Sequence, residues 1–141
     1  MKLPKITAAA ALLLSLVASP VQAQAQQSCA AHYLVAVPGG GNTAEGIPDY
    51  VPHGGNVFMT GMLTRLGTGG EIQPVWVSYA STPFATAEYA KSKAGGLKRA
   101  RTTVKKLADA CPNAKFSFTG YSLGADIAAT ITSDIAAGRG P

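Results

Sequence analysis

The residues whose types and spacing could do chemistry lie in Lys115-Phe116-Ser117-Phe118-Thr119-Gly120-Tyr121-Ser122-Leu123-Gly124-Ala125-Asp126. Gly120-Tyr121-Ser122-Leu123-Gly124 fits Gly-x-Ser-x-Gly, the spacing of a nucleophilic serine on a sharp strand-to-helix turn. A serine at such an apex sits at a sparsely populated φ/ψ, and the residues two before and two after it approach closely. Glycine at Gly120 and Gly124 removes the Cβ atoms that would collide there. The following helix aims its N-terminal N–H groups at the charge that attack by the hydroxyl creates. An exposed serine on an ordinary turn is the plain alternative, and the flanking strand and helix weigh against it.

Those flanking elements are legible. Phe116 and Phe118 alternate with small residues as a strand, and an Ala-rich helix is expected from about Leu123 to Ala137, stopped by Gly138. Upstream, His32-Tyr33-Leu34-Val35-Ala36-Val37 is a near-continuous apolar run that suits a strand buried on both faces. Pro38-Gly39-Gly40-Gly41-Asn42-Thr43 follows as a loop. A second loop, Ile47 to Gly55, carries His53, read as a surface histidine. Asn56 is expected to cap a short helix reaching Leu66, with Phe58, Met62, Leu63 and Leu66 on one side. Ile72 to Tyr79 reads as the next strand. A helix is then expected from about Thr86 to Ala110, with Leu97, Val104, Leu107 and Ala108 inward and Gly95-Gly96 as a weak point for a break or kink. Alternating strands and helices predict a three-layer α/β/α sandwich with a mostly parallel sheet.

The first stretch is expected to lie outside the fold. Lys2 and Lys5, the apolar run Ala8 to Val17, and Val21-Gln22-Ala23 or Ala23-Gln24-Ala25 read as a signal peptide over residues 1–25. The remaining 26–141 form one domain of about 115 residues. Cleavage lowers the formal charge from +5 to about +3, which gives no nucleic-acid footprint. Export permits oxidation of Cys29 and Cys111. They lie just before the first and third strands, so parallel neighbouring strands would bring them to one edge as a disulfide. Two histidines and two cysteines lack ligand spacing, so no metal and no cofactor are expected. Lys98, Arg99, Arg101, Lys105 and Lys106 read as a solvated helix face.

A serine of this kind needs an acid and then a histidine later in the chain. Only Asp126 and Asp134 follow Ser122, both read as helix residues, and no histidine does. His32 opens the first strand at the far end of the sheet. The domain is therefore expected to be incomplete beyond the helix after Ser122, and the 141 residues alone inactive.

The chain resembles the cutinase family of secreted serine esterases, α/β hydrolases, most of all their actinobacterial members. The resemblance is carried by Gly120-Tyr121-Ser122-Leu123-Gly124-Ala125, by Cys111-Pro112 upstream, by a cysteine before the first strand, and by Gly41-Asn42-Thr43-Ala44-Glu45 after it. It implies Ser122 as nucleophile, the Leu123 N–H as one oxyanion donor and Thr43 as the second. Cutinases usually carry glutamine where Leu123 stands, and an Arg-Gly loop where this chain has Pro38 to Asn42. The implied function is hydrolysis of carboxylic esters through an acyl-enzyme. The expected substrate is a lipid or polyester ester, met by a secreted monomer with at most weak attachment to the cell envelope. A cell-envelope acyltransferase, an acetyl-polysaccharide esterase and a non-catalytic secreted binding module are the competing readings.

Overall fold

The computed structural model describes residues 28–53, 61–63, 65, 71–82 and 86–141. The expected signal peptide and most of the expected helix from Asn56 to Leu66 lie outside these residues.

Strand β1 (His32–Val37) is central, flanked by β2 (Ile72–Trp76) and β3 (Lys115–Gly120), all parallel in the order β2-β1-β3. The near-continuous apolar sequence of β1 after His32 explains its place, because a strand with neighbours on both edges and layers on both faces leaves little room for exposed polar side chains. β2 is an outer strand of this sheet and carries Pro74 opposite Leu34, where a missing N–H is tolerated. It ends three residues before the expected Tyr79, although the Val77 N–H still donates to the Ala36 carbonyl at 2.9 Å.

Helix α1 (Thr86–Ala110) connects β2 to β3, and α2 (Leu123–Ala136) follows β3. Both pack on one sheet face, where Val35 and Val37 meet Ala100, Val104, Ile127 and Ile131. Leu34 and Ala36 point the other way, against Trp76 and against Leu63 from helical residues 61–63. Period-two alternation along β1 thus feeds two apolar layers, giving the α/β architecture expected.

Gly95-Gly96 does not break α1. The helix is continuous through them, and a Cβ on Gly96 would lie 2.5 Å from Ile127 Cδ1 and 3.2 Å from Tyr79 Cδ2. α2 ends in a Schellman motif. Gly138 takes φ 72° and donates to the Ile135 carbonyl at 3.0 Å, while the Arg139 N–H reaches the Asp134 carbonyl at 2.8 Å. The expected solvated face of α1 is only partly so. Arg99 pairs with Asp49 at 2.5 Å, and Arg101 pairs with Asp134 of α2. Cys29 and Cys111 form a disulfide at the amino-terminal edge of the sheet, and the Tyr33 hydroxyl donates to Cys111 Sγ at 3.5 Å.

Candidate active site

Ser122 stands at the carboxyl end of β3, directly before α2, with φ 52° and ψ −124°. Among the described residues it is the only non-glycine with positive φ. Such a backbone costs on the order of 1–3 kcal/mol and persists because its surroundings over-determine it. Those surroundings are glycines. A Cβ on Gly120 would overlap the Gly124 carbonyl, and one on Gly124 would overlap the Val37 carbonyl of β1. A Cβ on Gly39 would lie 2.9 Å from the Tyr121 carbonyl. The elbow is thus wedged against the end of β1 and the loop that leaves it.

Ser122 is exposed and its hydroxyl makes no capping hydrogen bond. The turn is closed by backbone instead: Gly124 N–H to the Tyr121 carbonyl at 2.8 Å, and Ala125 N–H to the Ser122 carbonyl at 2.9 Å. Leu123 is the first helical residue, so its N–H has no carbonyl one turn back to receive it. Its side chain is buried in the core under α2, which accounts for leucine here.

Thr43 is buried beside this end of the sheet. Ser81, just past β2, binds its backbone on both sides. The Ser81 hydroxyl donates to the Thr43 carbonyl at 2.7 Å and accepts from the N–H groups of Gly41 at 3.1 Å and Thr43 at 3.4 Å. The Tyr79 hydroxyl fixes the start of the same loop by donating to the Pro38 carbonyl at 2.5 Å, and burial raises its pKa far above the ordinary range. The Thr43 hydroxyl shares a 2.7 Å hydrogen bond with His53 Nδ1.

His53 is therefore not a surface histidine. It is buried, with its ring 5.5 Å from that of Trp76. Burial lowers its pKa, against the opposing pull of the Pro48 carbonyl and Asp49. The other histidine, His32, hydrogen-bonds Ser117 Oγ at 2.8 Å where β1 and β3 begin. Neither is on Ser122. Asp126, the acid nearest in sequence, receives Lys93 Nζ and the Tyr89 hydroxyl, each at 2.8 Å. The Lys93 hydrogen bond, then that of Tyr89, holds its carboxyl below the usual carboxylate range. It ties α1 to α2 and is not merely a helix-surface residue.

Sequence marks neither Tyr79 nor Ser81 as a site residue, and it places the loop of His53 near the carboxyl end of β1 without burying the ring. Their one available signal was position, since Tyr79 and Ser81 follow the carboxyl end of a parallel strand, where such sites lie.

The family model for cutinases matches residues 28–139, a span that runs from just before the first cysteine to just past α2. The chain belongs to the cutinase family. No curated protein matches it. Cutinases are carboxylic ester hydrolases, and the Cys29–Cys111 disulfide fits the extracellular setting in which cutinases typically work. The serine, the wedged glycines and the buried threonine all lie within the matched span.

Proposed function

We propose that this cutinase-family chain is a secreted serine esterase, exported by a signal peptide over residues 1–25 and working through residues 26–141, with Ser122 as its nucleophile. The observation that carries the reading is the exposed Ser122 hydroxyl on a positive-φ backbone directly before α2. Ser122 Oγ attacks the ester carbonyl and passes its proton to a base, and the alkoxide leaves with that proton. Water then releases the acyl group. The Leu123 N–H holds the oxyanion. The Thr43 N–H is the second donor, and giving up its long 3.4 Å contact with Ser81 frees it for the task.

His53 Nδ1 is bonded to Thr43 and His32 to Ser117, and neither is bonded to the Ser122 hydroxyl. The substrate is a lipid or polyester ester. The secreted gene product treated with a fluorophosphonate should carry the label on Ser122. A folded protein left unlabelled there overturns the reading and favours a binding module. The 141-residue chain by itself should hydrolyse a short p-nitrophenyl ester no faster than its Ser122→Ala variant.

A further inference from the structure

A cavity of about 950 Å³ lies between α1 and the loop that carries Ile47, Pro48 and Tyr50. Ser78 to Ala80, past the end of β2, also line it, whereas Ser122 and Leu123 do not. The space is built into the fold. At one end the Asp49 carboxylate receives Arg99 at 2.5 Å, while the Asp49 carbonyl receives the Trp76 N–H at 2.6 Å. At the other end Thr82 and Ser92 share a 3.0 Å hydrogen bond. Ser92 and Arg99 are seven residues apart on α1, about 10 Å along the axis at 1.5 Å per residue. Two separate segments are thus pinned along the cavity, the loop of residues 47–50 through Asp49 and the chain past β2 through Thr82.

Gly95 sits midway along this wall. A Cβ there would meet nothing within 4 Å, in contrast to its neighbour Gly96. Glycine in a helix interior costs about 1 kcal/mol relative to alanine, and here no packing contact requires it. What its absent side chain does is keep the cavity open. Lys91 and Lys98 lie one turn to either side of Gly95 and line the same space. Among the described residues neither ammonium has an ion-pair partner. Three acids line the same cavity. Asp49 is neutralised by Arg99, Glu88 precedes Lys91 at the start of α1, and Glu45 begins the loop. Lys91 and Lys98 therefore place two cations on either side of Gly95 among mostly carbon surfaces, with Glu88 one turn before Lys91.

We propose that this cavity binds a long-chain carboxylate, with the chain against Ile47, Pro48 and Gly95 and the carboxylate between Lys91 and Lys98. Such a molecule is the class of product an ester hydrolase releases. That meaning rests on the esterase reading, while the binding does not. Titrating oleate below its aggregation threshold into the 141-residue chain should give saturable one-to-one binding by calorimetry. Gly95→Leu, which fills the notch and improves the helix, should weaken it at least about tenfold. The double variant Lys91→Gln, Lys98→Gln should weaken oleate about fivefold or more and leave oleyl alcohol unchanged. This pair also decides the matter should Gly95→Leu fail to fold. Absence of saturable binding, or equal binding by the lysine variant, overturns the inference. So does competition between oleate and fluorophosphonate at Ser122 in the secreted gene product, which would place the ligand in the ester site and leave the esterase reading standing. Oleate bound by a protein whose Ser122 takes no label overturns the esterase reading alone.

Discussion

Ser122 holds a backbone shape that glycine adopts freely and serine does not, so the residue proposed for chemistry is also one that costs stability. Ser122→Gly is expected to stabilise the fold by about 1–2 kcal/mol in a denaturant titration while abolishing labelling by a fluorophosphonate. The neighbouring glycines predict the reverse. Gly120→Ala and Gly124→Ala each force a Cβ into backbone carbonyls that cannot swing aside, and each should cost more than ~4 kcal/mol in the same titration. His53 makes the fold sensitive to pH. Its folded pKa lies below its ordinary value of 6.5, so the unfolded chain takes up the proton first as pH falls. Stability should be full above about pH 7, decline as pH drops below 6.5, and level off below the lowered folded value. Thermal melts from pH 8 to pH 5 test the slope, and His53→Gln should flatten it.

At the scale of elements, α1 carries two adjacent glycines with opposite environments. Gly95→Ala meets open space and should stabilise the helix by about 0.5–1 kcal/mol. Gly96→Ala gains the same propensity but drives a methyl into Ile127 and Tyr79, both buried in the core. It should destabilise by about 1–3 kcal/mol, as overpacking does. Melting temperatures of the two single variants should therefore move in opposite directions. Sequence could place both glycines in a helix but could not separate them, because the difference lies in which face meets α2. Strand β1 was legible to the residue for the opposite reason. A run of five buried residues from Tyr33 to Val37 has one stable environment, a sheet interior covered on both sides. The elbow was legible because steric exclusion writes itself into sequence as glycine at fixed offsets from serine.

At the scale of the whole molecule, the Cys29–Cys111 disulfide closes a sequence separation of 82 residues. Replacing both cysteines by serine should lower stability by about 4–5 kcal/mol in the chain-entropy account. Equilibrium unfolding with and without reductant measures it, and the double variant should be indifferent to reductant. The serine, its glycines and the strand-helix alternation were determined by sequence alone, since each rests on local sterics or on short-range periodicity; the pairing of two cysteines 82 residues apart followed from that alternation, which sets their two strands parallel. Tertiary structure decided the rest. It buried His53 against Trp76 and turned it onto Thr43, bound the Thr43 backbone to Ser81, and spent Asp126 on Lys93 and Tyr89. These partners lie 10 to 38 residues apart in most cases, and no local rule relates them; only the packing of loops over the sheet end brings their polar atoms within bonding distance.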